Sequence, residues 1–307
     1  MSKIQDLRQG RIMVVSDLHG NWADYVRVMT RFQTHVAAGE ADRLVFLGDL
    51  VHARGGREDA SLAILDDLIR KRCNAPDSPY HCLLGNHEMV HIYHIELWKG
   101  EECYTQDLED GFGLKRSRYV EFLMNMPFII RTGGGVGLVH SGASKAVGGK
   151  HLSDYEVNYD YIKHWPHAEL LEAMYAQKLT TEPEYEGDML DQYDRNLGWL
   201  FTDTKKGRFL WEFLMNKNER AYGAAYYDFL RRYLLFFSKQ HPVGLKVLVS
   251  GHIHAPYGSH IVADQQLRIS TGYGAESNEM KTYLLIEADR EYENATQLEA
   301  CGRWLWA

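Results

Sequence analysis

The chain has 307 residues, of which 45% are hydrophobic and 25% are charged, which is ordinary for a soluble globular protein of one large or two small domains. Its net charge of -8 argues against nucleic acid or an anionic membrane as the main partner. The polar start at residues 1–10, the lack of an apolar run of membrane-spanning length and four cysteines without paired spacing predict a cytoplasmic protein with reduced thiols.

The first part of the chain alternates between predicted strands and helices. Apolar runs predict buried strands at residues 11–16, 43–47 and 80–84. Helical patterns occupy the intervals, at about 22–38 and 58–73. This alternation predicts βαβ units and a parallel sheet. Open sheets of this kind bind ligands beyond the carboxyl ends of their strands, so we expect a shared site there.

The next part adds helices and strands of a different arrangement. Helices are predicted at about 88–97 and 114–125, the second of which ends before Pro127. Three glycines between the apolar runs 128–132 and 136–139 predict a β-hairpin. Towards the end of the chain, four more strands are predicted, at residues 246–250, 259–263, 267–270 and 282–287.

A long helical segment lies between the hairpin and the last strands. Residues 151 to about 240 are predicted to be mainly helical and are rich in Tyr and Trp. Between residues 151 and 195 this segment carries eleven acidic residues against three Lys or Arg. We therefore predict a single domain over residues 1–307, with an acidic and aromatic helical insertion at about 151–240.

Seven side chains with oxygen or nitrogen donors lie at or just past predicted strand ends: Asp17, His19, Asp49, Asn86, His140, His252 and His254. Each alone has an ordinary structural explanation, such as capping a turn or a buried hydrogen bond. Together they are too many for one tetrahedral ion but suit two adjacent ions that share a carboxylate. The mixture of imidazole and carboxylate, without cysteine, favours Mn²⁺, Fe or Zn²⁺ over Ca²⁺.

Five short motifs resemble those of the calcineurin-like metallophosphoesterases, in the order of that family: Asp17-Leu18-His19-Gly20, Gly48-Asp49, Gly85-Asn86-His87-Glu88, His140-Ser141-Gly142 and Gly251-His252-Ile253-His254. The resemblance is nearest to the phosphoprotein-phosphatase branch, which includes bacterial serine/threonine phosphatases and symmetrical dinucleoside tetraphosphatases. It implies an α/β fold, a four-layer α-β-β-α sandwich of two mixed sheets with a helical insertion.

The resemblance also implies roles for the seven donors. Asp49 would bridge two divalent ions. The other six would form two sets of three, one set for each ion: Asp17, His19 and His254, and Asn86, His140 and His252. The phosphoprotein-phosphatase branch usually lacks the second histidine of the final motif, here His254, whereas the wider superfamily has it.

Three more residues are implied in catalysis or substrate binding. His87 is adjacent to the metal donors and could protonate the leaving alkoxide. Arg54 would clamp phosphoryl oxygens, the alternative being a surface arginine in a glycine-rich loop. Tyr273 would border the site or pack in the core. The family usually has an aspartate where His52 stands and an arginine beside it, so the residue that orients His87 stays open. Two arginines are candidates for a second phosphate clamp: Arg195 and Arg208.

The implied reaction is phosphoester hydrolysis by direct attack of a metal-bridging hydroxide, and Mn²⁺ is expected to support it in vitro. The expected partner is a phosphorylated substrate, first of all a phosphoprotein or another phosphomonoester. A symmetrical dinucleoside tetraphosphatase or other nucleotide phosphatase is the alternative, favoured by Leu84 and the segment 48–51. A non-catalytic metal-binding module is a third hypothesis, weakened by the retention of His87 and every donor. The natural substrate, the physiological metals and the oligomeric state stay open.

Overall fold

The computed structural model describes residues 1–53, 58–99, 102–103, 105–148, 152–181, 198 and 200–307. The strands in these residues are β1 (Ile4–Leu7), β2 (Arg11–Val15), β3 (Arg43–Phe46), β4 (Tyr80–Cys82), β5 (Trp98–Lys99), β6 (Glu102–Cys103), β7 (Ile129–Thr132), β8 (Val136–Val139), β9 (Val247–Ser250), β10 (Ser259–Ala263), β11 (Gln266–Ile269), β12 (Thr282–Glu287) and β13 (Gly302–Trp304). The α-helices are α1 (Trp22–Ala37), α2 (Ser61–Arg70), α3 (Asn86–Ile92), α4 (Gln106–Phe112), α5 (Arg116–Met124), α6 (Lys145–Gly148), α7 (Tyr159–Lys163), α8 (His167–Thr181), α9 (Lys205–Leu214), α10 (Asn218–Ala221), α11 (Tyr226–Phe237) and α12 (Ala295–Glu299).

The strands form a five-stranded sheet, a six-stranded sheet and the two-stranded ribbon β5-β6. The five-stranded sheet has the order β13-β12-β2-β3-β4, in which β2, β3 and β4 are parallel and β12 is antiparallel to both of its neighbours. The six-stranded sheet has the order β1-β7-β8-β9-β11-β10 and contains the predicted antiparallel hairpin β7-β8 and the parallel pair β8-β9. Both sheets are therefore mixed, as predicted.

Alternate residues of the strands face two different cores. In β2, Ile12 and Val14 belong to an inner cluster that includes residues from both sheets, whereas Met13 and Val15 belong to an outer cluster shared with the helices. Because side chains alternate across a strand, each sheet contributes one face to the layer between the sheets and the other to a helical layer. Val247 is one of the residues that the six-stranded sheet contributes to the inner cluster.

Helices cover the outer faces of both sheets. Helix α1 begins at the predicted cap Asn21, whose side chain accepts a hydrogen bond from the backbone of Asp24. It packs on the five-stranded sheet through stacked rings of Tyr25 and Phe46, 6.2 Å between centroids. On the other side, the rings of Phe128 and Phe213 lie 5.6 Å apart, which brings α9 against the six-stranded sheet. The four-layer α-β-β-α sandwich is thus confirmed.

The described helices of the segment 152–240 pack their aromatic residues into the outer core. Tyr159, Trp165, Phe209 and Phe237 are all buried there, so their first role is to bury apolar surface. Residues 182–197 and 199, which carry part of the predicted acidic excess, lie outside the described residues. The division into one domain with an insertion stays a prediction.

Two details differ from the expectations. Residues 4–7 form β1, which pairs in parallel with β7 through Ile4 and Ile129. The helix expected at 88–97 begins instead at Asn86 and ends at Ile92. Its earlier start follows from Glu88, whose side chain bonds the backbone N–H of Gly85 in a capping arrangement and completes the first turn.

Candidate metal centre

Five strand ends, from both sheets, carry the predicted donors. The segments after β2, β3 and β4 hold Asp17, Asp49 and Asn86, and those after β8 and β9 hold His140 and His252. These strands are parallel within each sheet, so their carboxyl ends lie at the same edge. The βαβ pattern of the sequence is sufficient to predict this gathering for the first three motifs.

Asp49 is the centre of the cluster. One carboxylate oxygen, Oδ2, lies 3.7 Å from His19 Nε2, and the other, Oδ1, lies 3.5 Å from His140 Nε2. Asp49 is 2% exposed. Two groups with ligand atoms within 4.8 Å of one another share this residue: His19, Asp49 and His87, and Asp49, His140 and His252. A buried carboxylate that faces two sets of donors is the arrangement expected of a bridging ligand.

His140 is in direct contact with both Asn86 and His252. The Nε2 atom of His140 lies 2.9 Å from Asn86 Oδ1 and 3.1 Å from His252 Nδ1. One amide oxygen and two imidazole nitrogens therefore point to a common place beside Asp49. The fold thus brings together three predicted donors that are far apart in the chain. His140 is 54 positions from Asn86 and 112 positions from His252.

The environment of His140 fixes its charge and its tautomer. Its Nδ1 donates to the backbone carbonyl of Leu47 at 2.9 Å, which leaves the Nε2 lone pair directed at the cluster. Burial lowers the pKa of His140 to about 4, against the opposing charge of Glu88. A neutral imidazole anchored through its other nitrogen is what a metal ligand requires.

Asp17 adds a second buried carboxylate. Its oxygens accept the backbone N–H of His252, at 3.0 Å from each. Burial, followed by the negative charge of Asp49, raises the pKa of Asp17 well above its usual range. Two carboxylates buried next to neutral imidazoles form a site that divalent cations would stabilise, so the donor set fits metal ions.

The backbone of these loops adopts conformations that are rare for residues with side chains. Among the described residues, five site residues have φ in the left-handed region: Asp17 (33°), His19 (45°), Asp49 (52°), His52 (67°) and His252 (64°). Gly48 has φ of 98°, and a Cβ atom there would lie 2.7 Å from the backbone nitrogen of Gly85. Such strain is concentrated at functional sites, where surrounding contacts hold it in place.

Glu88 holds two of the loops together, a role that the sequence analysis missed. Its fully buried carboxylate accepts backbone N–H groups of Asp49 at 2.9 Å, Leu50 at 2.7 Å and Gly85 at 3.1 Å. Burial and the charge of Asp49 raise its pKa to about 7. The signal in the sequence was the acidic residue three positions after Gly85, typical of a capping box.

His87 lies against the same cluster. Its backbone N–H donates to Asp49 Oδ1 at 3.0 Å, and its ring packs edge-on against His19 with 4.8 Å between centroids. Its Nδ1 lies 2.8 Å from Nδ1 of His52. His87 is 3% exposed, so neighbouring residues enclose it on several sides.

His254 and Tyr273 form the exposed border of the site. The ring of Tyr273 contacts both His254 and His19 edge-on, with centroid separations of 4.8 and 4.9 Å. His254 and Tyr273 also line a cavity of about 500 Å³ together with Glu276 and Lys281. His254 thus contacts Tyr273 at the border of the cluster and belongs to neither of the two compact donor groups.

Of the three predicted arginines, only Arg208 lies among the described residues. Arg54 and Arg195 lie outside the described residues, so their roles stay predictions. Arg208 is exposed and lines a different cavity, of about 660 Å³, with Lys145 and Glu212.

Comparison with known proteins gives the class of this chain. The sequence matches the calcineurin-like phosphoesterase family over residues 10–256. No curated protein gives a significant match to the sequence. A solved protein serine/threonine phosphatase from Saccharomyces cerevisiae is similar, with 15% identity, a TM-score of 0.53 and coverage of 95% of this chain and 82% of that chain. A mutant of a cold-active protein tyrosine phosphatase has 15% identity, a TM-score of 0.56 and coverage of 94% and 78%.

At this identity the two structures show the fold alone, and the family match carries the assignment. It spans most of the chain and all seven predicted donors, so the chain belongs to the calcineurin-like phosphoesterase family. It is accordingly a metal-binding hydrolase of phosphoesters. Among the described residues, no helix is both long and apolar enough to cross a bilayer.

Proposed function

We propose that the chain is a phosphatase that uses two divalent metal ions and acts on phosphomonoesters, first of all on phosphoproteins. The observation that carries this proposal is the position of Asp49 between two donor groups, with one carboxylate oxygen towards His19 and the other towards His140. Asp17, His19 and His254 would serve one ion, and Asn86, His140 and His252 the other. Mn²⁺, Fe and Zn²⁺ are the metals that suit this donor set.

Different residues of the chain have different roles in the proposed reaction. Two bound divalent ions supply acidification of a water molecule and neutralisation of phosphoryl charge. Asp49 and Glu88 hold the loops that fix the separation of the donors. His87 donates a proton to the leaving alkoxide, and Arg54 contributes a guanidinium for the phosphoryl oxygens. No serine or cysteine nucleophile is needed for this chemistry.

The test of the metal centre is a titration. The protein is stripped with a chelator, reloaded with Mn²⁺, Zn²⁺ or Fe²⁺, and analysed for bound metal and for turnover of an aryl phosphate. We expect no turnover without metal and full activity at two ions per chain. Turnover by the metal-free protein, or saturation of activity at one ion, would contradict the dinuclear proposal.

The choice of a phosphoprotein substrate is supported by the acidic composition of residues 151–195. Both ends of the predicted insertion follow and precede metal motifs, at His140 and His252, so the segment could form a wall of the cleft. An acidic wall would repel dinucleoside polyphosphates and favour phosphopeptides flanked by Lys or Arg.

A substrate panel separates the two candidate substrate classes. Phosphopeptides with basic flanks, matched peptides with neutral flanks and diadenosine tetraphosphate are compared at low and moderate ionic strength. We expect a preference for basic flanks that decreases with added salt, because screening weakens interactions between exposed charges. A clear preference for the dinucleoside would make the chain a tetraphosphatase instead.

A further inference from the structure

A row of buried histidines extends from His87 away from the metal centre. Nδ1 of His87 lies 2.8 Å from Nδ1 of His52, and Nε2 of His52 lies 2.7 Å from Nε2 of His91. His52 and His91 are each 1% exposed. Each ring nitrogen of His52 thus faces a ring nitrogen of a neighbouring histidine.

The row ends at a carboxylate. Nδ1 of His91 lies 2.5 Å from Oε1 of Glu109, on α4. Arg116 donates from Nε to Oε2 of Glu109 at 2.7 Å and from its terminal nitrogen to the backbone carbonyl of His91 at 2.7 Å. Burial alone would raise the pKa of Glu109, but the hydrogen bond and charge of His91, with those of Arg116, lower it. Glu109 is therefore an anion at neutral pH.

The four members of the row come from three elements, namely α3, α4 and the loop after β3. His87 and His91 lie four residues apart on α3 and so share one face of that helix. His52 comes from the loop after β3, where its φ of 67° is left-handed and its backbone N–H donates to Ser61 Oγ at 2.7 Å. The loop, α3 and α4 must all be in place before the row exists.

When all three rings are neutral, the number of hydrogens decides which nitrogen donates in each contact of the row. A contact between two imidazole nitrogens needs one hydrogen, and an ionised carboxylate only accepts. If all three rings are neutral, His91 donates from Nδ1 to Glu109, His52 donates from Nε2 to His91, and His87 donates from Nδ1 to His52. The opposite order would require a positive charge on His91. In the first order Nε2 of neutral His87 carries no hydrogen, so His87 can donate from that nitrogen only after the ring has gained a second proton.

We propose that His52, His91 and Glu109 form an orienting relay that fixes the ring and the tautomer of His87. This inference rests on the proposed function, because orienting His87 matters only if His87 serves the reaction. His52, His91 and Glu109 are positioning residues, since they act through His87. Three side chains from distant parts of the chain do what a single hydrogen-bond acceptor does for an isolated histidine.

The first experiment measures the tautomer without turnover. Long-range ¹H–¹⁵N correlation spectra are recorded on ¹⁵N-labelled protein loaded with diamagnetic Zn²⁺, and the His87 signals are identified by their loss in His87→Gln. We expect the hydrogen of His87 on Nδ1. In His52→Ala this preference should be lost, whereas His52→Asn should keep it. Asparagine tolerates the left-handed conformation and offers an oxygen near the position of Nδ1.

The second experiment measures catalysis in the same variants. His52→Ala should lower kcat on an alkyl phosphate about 10- to 100-fold, with KM and bound metal little changed, which is the usual worth of an outer hydrogen-bond partner. His52→Asn should recover most of the loss. Glu109→Gln should have a smaller effect, because a neutral amide oxygen accepts more weakly than a carboxylate. The matched control is Glu40→Gln, since Glu40 accepts from Nδ1 of His35 at 2.7 Å outside this row and should leave the spectra and kcat unchanged.

The outcomes separate the relay from the proposed function. A hydrogen on Nε2 of neutral His87 in the wild type, or an unchanged tautomer and kcat in His52→Ala, overturns the relay. If His52→Ala does not fold, the pair His52→Asn and Glu109→Gln decides, and unchanged His87 spectra together with unchanged kcat in Glu109→Gln overturn it. If the tautomers are as expected but no phosphoester is turned over, the proposed function fails while the orienting contacts stand.

Discussion

Two pairs of buried histidines, one beside Asp49 and one extending from His87, differ in what holds them. His19 and His140, the carbonyl-bound histidines, place Nδ1 against the backbone carbonyls of Val51 and Leu47, at 3.3 and 2.9 Å. His52 and His91, the relay histidines, contact other imidazoles and finally Glu109. A carbonyl only accepts, so it fixes one tautomer without the help of a further side chain. An imidazole can donate or accept, so the order of the relay depends on the carboxylate at its end.

The two pairs are therefore suited to different tasks. A carbonyl belongs to the backbone, so the carbonyl-bound histidines are fixed once their loops pack against the segment after β3, which suits their proposed role of presenting a lone pair to a cation. The relay crosses three elements and ends near the surface, which suits a residue that must hold a defined orientation while a proton is exchanged. The predictions below test this difference.

The largest effect is expected for Asp49→Asn, because Asp49 lies next to both groups of donors. The amide keeps the shape of the side chain but removes the charge that two cations would share. We expect kcat/KM to fall by more than the roughly 10⁴-fold that marks the upper range for a general acid, and bound metal to fall below two ions. Metal analysis and aryl phosphate turnover are the measurements.

The control for this change is Asp42→Asn. Asp42 pairs with Arg11 at the surface and belongs to neither donor group. It should keep both ions and full activity. Two bound ions and an unchanged rate in Asp49→Asn would show that Asp49 is not the bridge.

His87→Ala should have the next largest effect. Loss of a general acid usually lowers kcat by roughly 10²- to 10⁴-fold. The deficit should be small for aryl phosphates with good leaving groups, which need little protonation, and large for alkyl phosphates, while both metal ions stay bound. Rates across a leaving-group series measure this. An equal deficit for all members would assign His87 to positioning, and loss of metal would make it a ligand.

Glu88→Gln tests how the loop after β3 is held, which carries Asp49 and the carbonyl of Val51 that His19 contacts. The amide nitrogen would face backbone N–H donors that the carboxylate now satisfies, and an unsatisfied buried donor costs about 1–3 kcal/mol. We expect the free energy of unfolding to fall by about 3 kcal/mol in urea denaturation of metal-free protein. Glu121→Gln, at an exposed position on α5, is the control and should leave it unchanged.

His81 is a buried histidine outside both pairs, and its effect should appear in the pH dependence of stability. Burial, with a smaller contribution from Arg43, lowers its pKa from 6.5 to about 4. Below pH 6.5 the unfolded chain binds a proton that the folded chain refuses until about pH 4, so stability falls as the pH falls through this window. The loss due to His81 between pH 7 and 5 is about 2 kcal/mol.

The measurement is urea denaturation at several pH values for the wild type and for His81→Phe, which should lose this part of the pH dependence. Tyr80→Phe changes a neighbouring residue on β4 without removing an imidazole and should keep it. Parallel curves for the wild type and His81→Phe between pH 7 and 5 would contradict the assignment.

Much of the fold could be predicted because the signals are local. The βαβ units, the hairpin around the three glycines and the cap at Asn21 follow from residue periodicity, turn residues and a single side-chain hydrogen bond. The metal motifs could be recognised for the same reason, since each is a short run at a strand end. Strand β1 was missed, because its four residues bury only Ile4 fully and pair with β7, 125 positions along the chain.

The sequence by itself determined which residue types stand at the edge of the sheets and in what order. It predicted seven donors and His87, but the position of His52 only raised the question of what orients His87. Tertiary structure decided that question, because the contacts among His52, His87, His91 and Glu109 join a loop and two helices whose approach depends on the packed core. It also decided the left-handed backbone of Asp49, which the surrounding contacts impose together. The hydrogen bonds that Glu88 accepts from Asp49 and Leu50 depend on tertiary structure as well, since the capping pattern encodes only the local contact with Gly85.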